Sequence, residues 1–203
     1  MGKYEPLVLL CLGTIALAIS GINPYDRLTW FMEIAPILIA VPILLATSPR
    51  FRFTALAYRL IFIHALILMI GSHYTYARVP LGFWMQDLLG LARNHYDRLG
   101  HLAQGFIPAI VIREVLVRKS PLVPGKMLFF LVVSVCLALS AFYEFIEWWT
   151  ALAEGPAAVD FLGTQGDIWD TQWDMFMAFI GAIIAQVGLS KIHDSELRHL
   201  DQQ

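Results

Sequence analysis

The chain has 203 residues, of which 58% are hydrophobic and only 15% charged, and its mean hydropathy is +0.65. A soluble domain of this size carries roughly a quarter charged residues, so the composition excludes a large soluble core and predicts a polytopic membrane protein. The net charge of -2, without any basic run, argues against a nucleic-acid partner.

Six apolar segments predict an all-α bundle of about six transmembrane helices, because each is close to the roughly 20 residues that cross a bilayer core. In chain order they cover residues 6–22, 29–47, 54–74, 99–116, 127–149 and 172–189. Residues 79–91 (VPLGFWMQDLLGL) are amphipathic and predict an interfacial or re-entrant helix instead of a crossing. Since no second domain is indicated, residues 1–203 are expected to form a single integral-membrane domain in the lipid bilayer.

The basic residues predict how the helices are oriented. Ten of the 14 Lys and Arg residues fall on one side of the predicted helices and four on the other. By the positive-inside rule, both termini lie in the cytoplasm and the loops 23–28, 76–98 and 151–171 lie outside. Cys11 and Cys136 lie in different apolar segments and are expected to be small buried hydrophobic residues without a disulfide or a metal. The sequence leaves the oligomeric state open.

Ionisable side chains gather at the predicted outer ends of the helices, although such residues are rare within crossings and usually face the bundle interior. Asp97 and His101 share one face at the start of the fourth segment. Glu144 and Glu147 are neighbours near the outer end of the fifth, where two adjacent carboxylates need a proton, a cation or an arginine. The other ionisable members of this group are Glu33, His73, Asp170 and Asp174, and the amide of Gln104 lies on the same face as Asp97 and His101.

The stretch GTQGDIWDTQWD at 163–174, which leads into the last segment, adds Asp167 to Asp170 and Asp174. If residues 167–174 are helical, Asp167, Asp170 and Asp174 lie at i, i+3 and i+7 on one face. Three carboxylates at the mouth of a membrane helix repel one another and lose hydration, so a cation or basic partners must compensate them.

Taken together, carboxylates and an imidazole from several helices predict a divalent-metal site of the kind that helical bundles build. Carboxylate-rich ligation suits Zn, Mn, Fe or Mg, and the sequence does not choose between them. Motifs for serine acyl transfer or a phosphate-binding loop are absent from the sequence. The expected metal ligands are His101, Glu144, Asp170 and Asp174, and the expected catalytic groups are Asp97, Glu147 and Asp167.

Each residue also has a simpler interpretation. Asp167 or Asp170 alone could cap the last helix, and Asp97 could pair with Arg93 or Arg98. His73 could be an interfacial histidine bonded only to water, and His64 a hydrogen-bonded group between helices. The tryptophans mostly form an interfacial belt instead of a cofactor site; they are Trp84, Trp148, Trp149, Trp169 and Trp173.

Three of these motifs, each on a successive helix, resemble the DUF2238 family of bacterial inner-membrane proteins. They are NHYDRLGHLAQG at 94–105, SAFYEFIE at 140–147 and DIWDTQWD at 167–174, and NPYDRLTW at 23–30 also fits the family. The resemblance implies a multi-pass protein of the inner membrane and implies no particular reaction.

The C-terminal half has a weaker resemblance to VanZ-like proteins, which are linked to glycopeptide-antibiotic resistance at the cell envelope. The shared order is D-R-x-x-H, then E-x-x-E, then D-x-x-D-x-x-x-D. Arg98, Glu147, Asp174 and Met177 depart from the usual Lys, Gln, Asn and Gly, and Glu147 and Asp174 make the site more acidic. By this resemblance, the positions carried over are Asp97, His101, Glu144, Asp167 and Asp170.

Three functional hypotheses follow. The first is an envelope enzyme that uses a divalent metal on a lipid-linked or phosphate-bearing substrate. The second is a cation- or proton-coupled transporter, which would need acidic groups through the full depth of the bundle. The inner half of the helices is expected to be almost wholly apolar apart from Arg59 and His64, and this disfavours a transporter. The third is a structural or partner-binding membrane protein in which the polar cluster only locks the helices together.

Overall fold

The protein is all-helical, as predicted, in the part of the chain that the computed structural model describes. That part comprises residues 4–155 and 164–200, together with residues 2 and 162, and it contains no strand. A 3₁₀ turn (Tyr76–Arg78) follows the third of its seven α-helices. The helices are α1 (Glu5–Ser20), α2 (Arg27–Thr47), α3 (Ala55–Tyr74), α4 (Pro80–Leu89), α5 (Tyr96–Lys119), α6 (Lys126–Glu154) and α7 (Asp170–Leu200).

Five of these helices, α2, α3, α5, α6 and α7, are long and apolar enough to cross a membrane, and α1 is a shorter apolar helix of 16 residues. Each of the six predicted segments falls on one of these helices, so the prediction of a polytopic helical bundle is confirmed. α5 has 24 residues and α7 has 31. At 1.5 Å per residue they are about 36 and 46 Å long, so both project beyond a hydrocarbon core of about 30 Å.

Local sequence fixes where several helices begin and end. The Asp26 carboxylate accepts a hydrogen bond from the backbone N–H of Thr29 (2.7 Å) and caps α2. The Thr54 hydroxyl accepts one from the N–H of Ala57 (3.3 Å) and caps α3. α4 ends at Gly90, whose φ of 64° suits glycine. With 10 residues α4 is too short to cross, which agrees with the prediction for residues 79–91.

The centre of the bundle is the close pair α5 and α7, against which α3 and α6 also pack. The two helices approach at two glycines. A Cβ on Gly105 would lie 1.8 Å from the carbonyl oxygen of Ala178, and one on Gly181 would lie 2.2 Å from that of Leu102. Small residues at such crossings let membrane helices pack backbone to backbone. The buried core beside this contact includes Ile107, Ile110, Leu128, Val132 and Ala182.

This contact leads to a first prediction. Gly181→Ala should lower the free energy of unfolding by about 1–3 kcal/mol, because the added methyl group overlaps a backbone carbonyl that cannot move alone. Gly188→Ala, on the same helix, meets nothing within 4 Å and should be neutral or slightly stabilising. Thermal unfolding in detergent compares the two. Equal midpoints would show that the α5–α7 approach is looser than described.

A buried polar network joins the predicted cytoplasmic ends of α3, α5 and α7. Glu114 is fully buried and accepts hydrogen bonds from the backbone N–H (3.0 Å) and hydroxyl (2.7 Å) of Thr54. Its carboxylate also lies 2.7 Å from Nη1 of Arg118 and 3.1 Å from Nε2 of His193. Arg113 contacts the other imidazole nitrogen at 3.0 Å. The expectation that the inner half is almost wholly apolar is therefore wrong.

The cysteines are both free. Cys136 is buried in the core, as expected, whereas Cys11 is exposed on the outer surface of α1, so its predicted burial is wrong. An exposed thiol on an apolar span faces the surrounding lipid, where it behaves as a small hydrophobic group.

Candidate metal centre at the outer helix ends

Asn94 fixes the start of α5 and with it the orientation of the candidate site. Its amide nitrogen donates to the carbonyl oxygen of Val79 (3.0 Å), and its amide oxygen accepts from the backbone N–H of Tyr96 (3.0 Å). From this start, Asp97 and His101 point from successive turns of the helix toward the bundle interior. The side chain of His101 is 6% exposed and that of Asp97 is 14% exposed.

The two nitrogens of the His101 imidazole have different neighbours. Nδ1 lies 2.9 Å from Oε1 of Gln104, and a neutral imidazole that donates from Nδ1 to this amide oxygen would keep the lone pair of Nε2 for a ligand. Nε2 lies 3.6 Å from Oδ1 of Asp97. A hydrogen bond that fixes the tautomer in this way is the usual accompaniment of a metal-binding histidine.

Two groups of side chains share His101 and have ligand atoms close enough for a metal ion. The first is Asp97, His101 and Asp174, and the second is His101, Glu144 and Glu147; within each, the ligand atoms lie within 4.8 Å of one another. A metal–ligand distance of about 2.1 Å places neighbouring ligand atoms about 3–3.4 Å apart, so either group would contract around a bound ion. We favour the first group, because Nε2 of His101 lies 3.6 Å from Oδ1 of Asp97 while Nδ1 contacts Gln104.

Two buried carboxylate oxygens of this cluster have no hydrogen-bond partner among the described residues. They are Oδ1 of Asp174, which is 2% exposed, and Oε1 of Glu144, which is 5% exposed. The Glu144 carboxylate interacts with the hydroxyl of Thr171, and its Oε1 lies 3.8 Å from Nδ1 of His101. A buried carboxylate oxygen without a partner is costly, and a bound cation would compensate it.

A small polar cavity of about 70 Å³ adjoins the cluster on the side of α2 and α3. Glu33, which is buried, accepts a hydrogen bond there from the hydroxyl of Tyr143 (3.1 Å). His64 also lines it, and its Nε2 has no hydrogen-bond partner within the described part of the chain, so the interhelical bond expected for it is not seen at this atom. The cavity is large enough for ordered water beside Asp97 and Glu147.

Asp167 and Asp170 are engaged by arginines outside both ligand groups. α7 begins at Asp170, so Asp167 precedes the helix and the expected single face of three carboxylates does not form. Arg93 binds Asp170 Oδ1 at 2.5 Å, and Arg98 binds Asp167 Oδ2 at 2.5 Å. The alternative pairing of these arginines with Asp97 is not observed. The basic partners that the sequence demanded for this stretch are thus Arg93 and Arg98.

The Asp167 carboxylate, in the loop before α7, stabilises the fold to an extent that depends on pH. The backbone N–H of Trp169 donates to its Oδ1 (2.9 Å), and this bond together with Arg93 and Arg98 lowers the pKa of the Asp167 carboxyl. A depressed pKa in the folded state stabilises the fold above the ordinary aspartate value of 3.8. The contribution disappears as the pH falls through the lowered pKa.

We therefore expect Asp167→Asn to lower the thermal midpoint at pH 6, and the difference to shrink as the pH falls below 3.8 and through the lowered pKa, where the native carboxyl is protonated too. Unfolding of both proteins in detergent across this pH range measures the difference. Ile168, exposed beside Asp167, offers a control site, and Ile168→Ala should show no such convergence. A gap that persists at low pH would contradict the assigned role of the charge.

His73 has a partner within the protein, so the expectation that it bonds only to water is wrong. Its Nδ1 lies 2.9 Å from the carbonyl oxygen of Ser20, which ties the outer end of α3 to that of α1. Gln104 and Tyr143 are partners of the site whose roles the sequence did not reveal. Gln104 lies one turn from His101 along α5, and this spacing could have indicated their contact. Tyr143 meets Glu33 only through tertiary packing, which no local spacing indicates.

Comparison with known proteins places the chain in a family. The family model described as "Predicted membrane protein (DUF2238)" matches residues 5–195. The chain belongs to the DUF2238 family. It is 55% identical over 185 residues to the inner membrane protein YjdF of Escherichia coli (strain K12), covering 91% of this chain and 88% of that protein. No solved structure matches it.

Membership in DUF2238 confirms the predicted resemblance over nearly the whole chain. Together with the apolar helices, it identifies a multi-pass protein of the inner membrane. The resemblance to VanZ-like proteins, the metal and the roles of individual residues stay predictions.

Proposed function

We propose that this inner-membrane protein is a metal-dependent enzyme that binds a divalent cation through Asp97, His101 and Asp174. The observation that supports this most is that ligand atoms of Asp97, His101 and Asp174 lie within 4.8 Å of one another, while the buried Oδ1 of Asp174 has no hydrogen-bond partner among the described residues. Five carboxylates, of Glu33, Asp97, Glu144, Glu147 and Asp174, lie around the His101 imidazole and its adjoining cavity. So many buried carboxyl groups in a low-dielectric site need protons or a cation, and a divalent cation would satisfy several of them at once. Zn, Mn, Fe and Mg all suit these ligands.

A bound divalent cation would activate water or polarise a phosphoryl or carbonyl oxygen. The protein residues would supply the rest of the chemistry. Glu147 lies beside His101 and lines the polar cavity, so it is placed to accept a proton from water held there. Glu144 borders the same imidazole and would help to hold the ligands in place. The cluster lies at the predicted outer ends of α5, α6 and α7, where envelope and lipid-linked substrates are found.

A transporter is the alternative function, and the buried network around Glu114 is the observation in its favour. Acidic groups now lie near both ends of the bundle, at Asp97 and at Glu114. Between them, however, the core is closed by apolar side chains such as Ile107, Ile110 and Val132, each at most 3% exposed. A path for ions needs polar groups or water through the full depth. This conformation favours a site at one face over a path through the membrane.

Elemental analysis of protein purified in detergent tests the proposal, followed by removal of metal with a chelator and reloading with Zn, Mn, Fe or Mg separately. We expect about one ion per chain, and we expect Glu147→Gln to keep the ion while it abolishes turnover of lipid-linked substrates. The purely structural hypothesis would be favoured if the native protein holds no stoichiometric metal and substitutions in the cluster only lower its stability. Movement of the ion across proteoliposome membranes would favour a transporter.

A further inference from the structure

A second cavity lies within the membrane-spanning part of the molecule, away from the acidic cluster. α1 and α2 both pack against α3, yet they scarcely contact each other. Trp30 Nε1 donates to Ser20 Oγ (3.2 Å) and joins the two helices at their outer ends. Below this contact they enclose a groove of about 430 Å³ with α3. Its lining is almost wholly apolar and includes Leu10, Gly13, Leu38, Val41, Phe62 and Ala65.

The groove follows from the sequence of the three helices. Gly13 and Ala65 are two positions of the wall without a bulky side chain. A Cβ on Gly13 would lie 3.8 Å from the ring of Phe62, at ordinary van der Waals distance. Pro42 lies within α2 and lines the groove, and a proline inside a helix removes a backbone hydrogen bond and bends it. The hydroxyl of Thr14 donates to the carbonyl oxygen of Leu10 (2.9 Å), so this donor needs no partner within the groove.

The dimensions and surroundings of the groove define the chemistry of its occupant. The lining of α2 runs from Ile37 to Ser48, about 16 Å along the helix axis, or about half the hydrocarbon thickness. Its volume lies in the range of small-molecule sites, about 300–1,000 Å³. Because the protein is a multi-pass membrane protein, the open side of the groove faces hydrocarbon, and a hydrocarbon chain can enter from the side.

The groove also adjoins the acidic cluster. Pro36 and Leu68 line the polar cavity, while the next residues along each helix, Ile37 and Met69, line the groove. Glu33, in the polar cavity, is one helical turn from Ile37. A molecule with an apolar chain in the groove would therefore lie directly beside the polar groups. This adjacency suits a ligand that is apolar along its length and polar at its end.

We propose that the groove between α1, α2 and α3 binds one hydrocarbon chain of a membrane lipid and holds that lipid beside the acidic cavity. The inference deepens the proposed function, because it assigns the substrate class as an amphiphilic lipid. It is also testable on its own, since chain binding involves none of the proposed metal ligands.

Two space-filling variants and a neighbouring control test the proposal. Leu38→Trp and Ala65→Phe fill the groove, whereas Ile39→Trp adds the same ring to an adjacent residue that is 63% exposed and does not line it. After purification in mild detergent, lipid retained per chain is counted by mass spectrometry. We expect about one lipid on the native protein and on Ile39→Trp, and at least fivefold less on the filled variants. Equal retention by all four proteins would overturn the proposal.

A measurement on the native chain covers the case in which a filled variant fails to fold. A phospholipid with a diazirine near the middle of one acyl chain is photolysed in proteoliposomes, and the labelled peptides are mapped. Label concentrated around Gly13, Val41 and Ala65 is expected. Label spread evenly over the lipid-facing residues, or a dimer that forms in the native protein and is lost in Leu38→Trp, would contradict lipid binding.

The two proposals fail in distinguishable ways. Asp174→Asn should lose the cation and keep the lipid, because Asp174 is not part of the groove. Leu38→Trp should lose the lipid and keep the cation. A native protein that holds lipid without metal would overturn the proposed enzyme alone, and one that holds metal without lipid would overturn the groove proposal alone.

Discussion

Glu114→Ala is expected to lower the free energy of unfolding by about 3–5 kcal/mol, the usual cost of removing one partner from a buried ionic network. The native carboxylate is fully buried and bonds to Thr54, Arg118 and His193 at once. Its loss leaves a backbone N–H at the start of α3 and the His193 Nε2 without their hydrogen-bond partner, and Arg118 without its counter-charge. Thermal or denaturant unfolding in detergent measures the change.

The same network contains a matched control. Asp194 pairs with the buried Arg113 at 2.7 Å, but its own side chain is 29% exposed, so solvent reaches this end of the pair. Asp194→Asn keeps a side-chain oxygen that can accept from Arg113 and should therefore cost less than Glu114→Ala. His193→Ala should be costly alone and less than additive with Glu114→Ala, because both changes disrupt one contact. A Glu114→Ala protein as stable as Asp194→Asn would show that the network does not hold the three helices together.

The second large effect is expected at the outer site. Asp174→Asn should weaken divalent-cation binding by about 100-fold or more, since even the loss of an outer-shell partner costs 10–100-fold. Asp174 is 2% exposed, and its Oδ1 has no hydrogen-bond partner within the described residues. Its only compensation in the proposed account is the ion shared with Asp97 and His101. Isothermal titration of metal-free protein measures the affinity.

Asp170→Asn is the control for this change, because it makes the same substitution one turn earlier on the same helix. The Asp170 carboxylate is already neutralised by Arg93 at 2.5 Å and lies outside both ligand groups. We expect its affinity for the cation to stay within about tenfold of the native value. If the two variants bind equally, or if Asp170→Asn is the weaker, the ligand set proposed here is wrong.

The helices and the position of the acidic cluster were predictable because they depend on local pattern. Long apolar segments determine α2, α3, α5, α6 and α7, and the spacing of Asp97 from His101 on one helix brings them to one face. The structure also brings Glu144 and Asp174 to that face from α6 and α7. A few costly residues at the same predicted depth were enough to indicate that they meet.

Partner choice was not predictable, because it depends on tertiary packing. The sequence offered Arg93 and Arg98 to Asp97, whereas the start of α7 at Asp170 presents Asp167 and Asp170 to them instead. Where a helix begins is among the least certain features of a sequence. A shift of one turn decided which carboxylates pair with an arginine and which do not.

The buried network around Glu114 was not predictable either, for a related reason. Glu114 stands near the end of an apolar segment, where a charged residue usually marks the membrane surface. Its partners Thr54 and His193 are 60 and 79 residues away in sequence, and no local spacing connects them. The groove beside α1 was equally invisible, because it reflects the absence of a contact between two helices that both look like ordinary crossings.

X-ray absorption at the edge of the bound metal would test the central claim most directly. Purified protein loaded with Zn should show one imidazole nitrogen among oxygen ligands, and the imidazole contribution should vanish in His101→Ala while Asp170→Asn leaves the spectrum unchanged. A protein that binds no ion, or a spectrum with oxygen ligands alone that His101→Ala does not alter, would contradict a metal centre built on His101.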